Sequence, residues 1–282
     1  MREEELCLTI MDKALSLGAD YVEARFHSVE SEEIIYKNGE LESPVFSLIE
    51  GIGVRVIVDG GLGFSATNIL SETALTTVVE RAIHMARASV KTRRERIRFA
   101  DAETYNVDYW VVEKDRWMDV DLKEKIEFLE DIDKELQRGF KIKFPSRLLE
   151  LEYSLERKVY VNSDGTTLTS KIPRTGATYI ITGITEGKSI QRIGQDGASA
   201  GWEIYKDRDL KGRILGDAKA MEKILLKSVK PPTEAVDVVV GSEVAGIIAH
   251  EAVGHPAEAD RILGREAAQA GESYMTPDYI GK

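Results

Sequence analysis

"LLELEYSLERKVYVNSDGTTLTSKI", residues 148–172, decides the fold class. Leu149, Leu151, Tyr153 and Leu155 alternate with Glu150, Glu152, Ser154 and Glu156. A period of two sends successive side chains to opposite faces of a strand. This run therefore has one dry face and one wet face, the pattern of an antiparallel sheet covered on one side. Ser163-Asp164-Gly165 supplies a turn. Strands over 177–185 and 188–194 continue the meander.

On either side of the meander the period changes. Leu122, Ile126, Leu129 and Leu136 predict a helix over 121–138, ended by Gly139. Ile214, Leu215, Ala218, Met221, Leu225 and Leu226 predict another over 212–228, after which Pro231-Pro232 interrupts the chain. The N-terminal third repeats the arrangement. Leu6, Ile10 and Leu17 mark a helix over 3–17. A strand over 21–29 follows, with Val22, Ala24 and Phe26 on one face. Asn38-Gly39 fits a hairpin turn because both residues tolerate positive φ. "GIGVRVIVDGGLGFSAT" (51–67) reads as a second hairpin about Asp59-Gly60. Its glycines match neither GxGxxG nor the Walker pattern, so turns, bulges and close packing explain them better than a phosphate site. Ser71 caps a helix whose stripe is Leu75, Val78, Val79, Ala82, Ile83 and Ala86. His84 falls off that stripe and His27 falls on the polar side of its strand, and neither has a ligand-like neighbour. Residues 91–120 are charged and irregular. They are expected to form a linker, with Tyr109, Trp110 and Trp117 packed at a junction.

The expected class is α+β, antiparallel sheets with helices packed on one face. The segments are 1–95, a second α+β part with the meander over 96–230, and a part from 231 onward in which a strand over Ala235–Val240 leads through Ser242, as a cap, into an apolar helix. With 282 residues, 43% hydrophobic and 31% charged, the chain can bury a large core. A net charge of −11 opposes direct binding of nucleic acid. The basic run 91–98 is read as a solvated segment leaving a helix. No apolar run is long enough to span a bilayer. The acidic N-terminus does not resemble a signal peptide, so a cytoplasmic location is expected. A single cysteine, Cys7, excludes an internal disulfide framework and Cys-rich zinc modules.

The chemistry concentrates in "AHEAVGHPAEAD" (249–260). In the HExxH pattern, histidines four residues apart lie about 40° apart round an α-helix and share one metal, and the glutamate acts as base. Here His250 and His255 are five apart, about 140° on a regular helix, which separates the rings. Gly254 frees the backbone and Pro256 disfavours α geometry at His255. A π-type widening or a helix end would bring the rings together again. The bland alternative is two histidines at a helix terminus, where cations are favoured.

The segment "GSEVAGIIAHEAVGHPAEAD" (241–260) resembles the metal-binding segment of the TldD/PmbA family, also called modulators of DNA gyrase. "GIGVRVIVDGGLGFSATN" (51–68) and "YKNGELES" (36–43) are similar to its N-terminal domain. The histidine pair matches the metal-bearing TldD type, not the TldE partner type. The resemblance implies a zinc metallopeptidase that digests unfolded or unstructured peptides in the cytoplasm. His250 and His255 would bind zinc and Glu251 would activate water, at the start of a C-terminal catalytic domain. It also implies dimers, through self-association or a TldE-type partner, around an enclosed chamber. The family's third ligand is a cysteine far downstream. Cys7 does not match it, and Glu258 or Asp260 is considered as an oxygen donor in its place. An N-terminal portion of a TldD-like protein is therefore expected. The competing functions are a non-catalytic peptide-binding or partner subunit, and a DNA-acting modulator, which the acidic charge opposes.

Overall fold

One sheet of eight strands organises the first 228 residues in the computed structural model, which describes residues 3–93, 95–266, 271–279 and 281. The strands are β1 (Tyr21–Lys37), β2 (Glu40–Leu41), β3 (Val45–Val58), β4 (Gly61–Thr67), β5 (Asn106–Trp110), β6 (Lys143–Asn162), β7 (Thr167–Thr185) and β8 (Lys188–Ala198). Their order is β4-β3-β1-β6-β7-β5, with β2 on the end of β1 and β8 farther along β7. All pairings are antiparallel except β5 with β7. The hairpin turns are as their residues demand: Asn38 and Gly39 have φ of 54° and 92°, Asp59 and Gly60 of 50° and 74°.

Helices α1 (Glu3–Ser16), α2 (Glu72–Ser89), α3 (Leu122–Arg138), α4 (Glu203–Asp207) and α5 (Leu210–Lys227) cover the sheet. Ser71 caps α2 by accepting from Ala74 N at 3.3 Å, and Asp121 caps α3 by accepting from Lys123 N at 2.8 Å. Two hydrophobic cores result. One joins α1 and α2 to Val22, Ala24 and Phe26 of β1 and to Val159 and Val161 of β6. The other joins α3 and α5 to Ile34 and Tyr36 of β1 and to Leu149, Leu151 and Tyr153 of β6. Parity places both cores on one face, because even positions of β1 and odd positions of β6 serve both. Between the cores the same face of β1 carries only polar residues, Ser28, Glu30 and Glu32.

A buried polar knot closes the α3 side. Glu32 Oε2 accepts from Trp117 Nε1 at 2.5 Å and from Lys125 Nζ at 2.8 Å. Trp117 stacks on Tyr153 at 5.2 Å, and the Lys125 ammonium lies 4.3 Å from a Trp117 ring centroid. The other face of the sheet is wet, as the alternation of 149–156 requires. There Glu150 faces Glu33 and Glu152, and burial together with these carboxylate neighbours pushes its acid up to about 8.

The fold departs from the sequence expectation in two places. Residues 106–110 are not linker but the parallel edge strand β5, with Tyr109 and Trp110 exposed; only Trp117 is junction core. One charged position, Asp108, interrupts "NVDYW", and its partner β7 lies some sixty residues away in sequence. The expected segments 1–95 and 96–230 share this one sheet, through the pairing of β1 with β6. Finally, residues 235–240 form no strand, having no ladder partner among the described residues. Of the basic run 91–98, Arg94 lies outside the described residues; Lys91, Arg96 and Arg98 are exposed, whereas Arg93 is half-buried and Ile97 N donates to Gly60 O at 2.9 Å.

Residues 229–282 make a separate unit. It holds α6 (Ser242–Ala249), a π-helical turn over His250–Gly254 and α7 (Ala259–Ile262). Gly241, not Ser242, occupies the cap position of α6. Among the described residues no helix is long and apolar enough to cross a membrane.

Candidate metal centre

The π turn resolves the spacing problem posed by His250 and His255. In a π turn the N–H bonds five residues back, so residues five apart stack on one side of the helix. His255 N donates to His250 O at 3.1 Å. The two imidazoles therefore converge, with Nε2 atoms 3.0 Å apart and ring planes at 81°.

The local sequence holds this turn in a way not anticipated from Gly254 and Pro256. His255 keeps α-type angles (φ −63°, ψ −44°) despite the proline after it. A methyl at Gly254 would meet only His250 Nδ1, at an ordinary 3.8 Å, so the glycine is not sterically demanded. Pro256 acts by what it lacks. Without an N–H it cannot bond back to Ala252 O, and that carbonyl instead accepts from the Tyr274 hydroxyl at 2.8 Å. Ser273 Oγ donates to Pro256 O at 2.6 Å. After Pro256, Ala257 N donates to both Val253 O at 3.0 Å and Gly254 O at 3.2 Å, and the helix gives way to a turn.

Glu258 falls on the far side of the His255 ring from His250. Its Oε1 lies 2.7 Å from His255 Nδ1, and its Oε2 accepts from Arg261 Nε at 2.6 Å. These bonds, His255 first and Arg261 second, hold the Glu258 carboxyl below the usual carboxylate range. With Nδ1 committed as donor to Glu258, the Nε2 lone pair of His255 points toward His250. Glu258 is thus an orienting partner and not an oxygen in the donor group, and Asp260 turns its Oδ1 to Arg261 N at 2.9 Å. The orienting glutamate stands three residues after the histidine, a spacing the sequence displays. Which nitrogen it addresses depends on how the chain turns after Pro256.

His250, Glu251 and His255 offer ligand atoms within 4.8 Å of one another, the one such group among the described residues. Tetrahedral zinc with Zn–N bonds of about 2.0–2.1 Å sets its nitrogen ligands about 3.3 Å apart. Opening the pair by a few tenths of an ångström would suit such an ion, so the donor set fits. Glu251 Oε2 stands 3.9 Å from His255 Nε2, too far for a hydrogen bond, and its side chain is exposed. Cys7 has the opposite character. It is wholly buried in the α1–α2 core, and burial raises its thiol to about 11, which suits packing and not ligation.

Comparison with known proteins identifies a family and a fold. Residues 22–86 match the model of PmbA/TldA metallopeptidase domain 1, and residues 115–229 match that of the PmbA/TldA metallopeptidase central domain. A metalloprotease of Methanocaldococcus jannaschii is 29% identical over 280 residues, which are 96% of this chain and 60% of that protein. Among solved structures, one named as a modulator of a DNA gyrase from Thermotoga maritima superposes with a TM-score of 0.62 at 16% identity, covering 82% of this chain and 50% of that one. TldE from Thermococcus kodakarensis gives 0.59 at 13% identity, covering 78% and 47%. The chain thus spans 60% of the length of its archaeal relative and about half of each solved structure, whose likeness is one of fold.

Proposed function

Because this chain belongs to the PmbA/TldD metallopeptidase family, we propose that it serves zinc-dependent hydrolysis of unstructured peptides inside the cell. His250 and His255 hold the metal and Glu251 is the general base. The observation that supports this most is the convergence of the two Nε2 atoms at 3.0 Å beside the exposed Glu251 carboxylate. Zinc bound there would supply Lewis acidity, polarising the scissile carbonyl and making water more acidic near neutral pH. Glu251 takes the proton from the attacking water as the C–O bond forms. It returns that proton to the amide nitrogen as the C–N bond breaks, leaving an acid and an amine. Glu258 keeps His255 in the tautomer that presents Nε2. Two imidazoles leave room for a third protein ligand, which catalytic zinc normally has. A second copy or a TldE-type subunit is the proposed assembly partner.

Zinc content tests the reading. After loading and gel filtration the chain should retain about one zinc, lost in His250→Ala and in His255→Ala and kept in Glu251→Gln. Retention unaffected by either histidine variant would refute the assignment.

A further inference from the structure

Between the two cores the sheet leaves a cleft that the metal chemistry does not use. It has a volume of about 380 Å³, and Glu30, Glu32, Phe46, Leu48 and Met118 line it. The register pairs Glu32 with Phe46 and Glu30 with Leu48, and antiparallel partners share a face. The Glu32 side chain therefore stands on the same side of the sheet as Phe46 and Leu48. Glu32 is only 3% exposed, yet its Oε1 has no hydrogen-bond partner among the described residues. A buried carboxylate oxygen without a donor is costly, and its environment calls for one. Phe46, Leu48 and Met118 are by contrast large apolar groups left exposed. Arg157 also lines the cleft and is exposed to solvent.

The adjoining backbone is equally unfinished. β4 pairs only with Ile52–Val58 of β3, so Val45–Gly51 has no outer strand among the described residues. A bare edge takes an extended chain by β-addition, and alternate side chains of that chain then fall on the cleft side. Resting on the peptidase reading, we propose that Val45–Gly51 and this cleft form a peptide-docking subsite. The added strand lays a lysine side chain along Phe46, Leu48 and Met118 with its ammonium at Glu32 Oε1. The apolar walls suit the methylene stem, and Glu30 supplies a second carboxylate for the charge.

Fluorescence polarisation with the labelled peptide Thr-Val-Lys-Val-Thr, and with the same peptide carrying norleucine, tests this in the presence of chelator. Omitting metal separates docking from hydrolysis: zinc stoichiometry can fail while docking stands, and the reverse. The lysine peptide should bind about tenfold tighter, the size expected of a donor to a buried charged acceptor. Glu32→Gln should abolish that preference. Should it unfold the Trp117–Lys125 knot, Met118→Lys at an exposed position serves instead, its own ammonium filling the cleft and erasing the preference. Phe46→Ala should weaken both peptides. Equal affinity of the two peptides for the unaltered chain, or an unchanged lysine preference in Met118→Lys, overturns the proposal.

Discussion

Substituting Gly63 with alanine should loosen α2 from the sheet and shows what the glycines of 51–67 are for. Gly63 lies in β4 directly beneath α2. A methyl there would run into the Ala82 carbonyl oxygen and lie 2.6 Å from Ala86 N. Carbon contacts settle at about 3.5–4.0 Å, so the helix must retreat by roughly 1 Å. Its buried stripe, Leu75, Val78, Val79, Ala82, Ile83 and Ala86, moves with it. Overpacking of a close-packed core costs about 1–3 kcal/mol. The obstructing atoms here are backbone and no side chain can rotate away, so the upper end, about 3 kcal/mol, is expected. Urea unfolding followed by circular dichroism should show a midpoint lowered by about 1 M, at a slope near 3 kcal/mol/M. Gly187→Ala is the control. It has φ of +69° and no atom within 4 Å, so only the left-handed backbone opposes the methyl, at about 1–2 kcal/mol. A Gly63→Ala midpoint no lower than that of Gly187→Ala would refute the packing argument.

Other perturbations have equally defined outcomes. Glu258→Ala should weaken zinc binding about tenfold, the low end for an orienting partner because this one is partly exposed, while Glu258→Gln keeps an acceptor and most of the affinity; chelator competition measures both. Asp133→Ala strands Arg147, whose Nε it holds at 2.6 Å in a buried pair, and should lower stability by about 3–5 kcal/mol in urea melts. Adding Arg147→Met should recover part of that loss. Glu150, an acid raised to about 8, gives a pH dependence. The folded chain holds this proton between the ordinary carboxylate range and pH 8 while the unfolded chain does not, so stability falls as pH rises through that window. Thermal melts from pH 5 to 9 should show the decline, and Glu150→Gln should flatten it.

Local chemistry made much of this molecule legible in its residues. The strict alternation of 149–156 and the left-handed turn pairs Asn38-Gly39 and Asp59-Gly60 are decided within a few residues, and the sheet follows from them. The pairing of the rings of His250 and His255 was foreseeable as geometry, since a widened turn or a helix end lets residues five apart meet. Distant partners were not legible. β5 is a strand because β7 offers an edge, and no local pattern in 106–110 announces it. Residues 235–240 have strand-like composition and no ladder partner among the described residues. Tyr274 at the Ala252 carbonyl and Glu258 at Nδ1 depend on how the backbone bends after Pro256.

The sharing of β1 and β6 between both cores bears on how the protein comes apart. Each strand belongs half to one helical layer and half to the other, and fifteen registered positions, Glu23–Lys37 against Leu148–Asn162, bind them together. Residues 22–86 and 115–229 match separate family domains, yet neither can melt without stripping a long ladder from its neighbour. Residues 1–228 should therefore denature in one cooperative step, and a nick between the two segments should leave fragments that stay associated until both are lost.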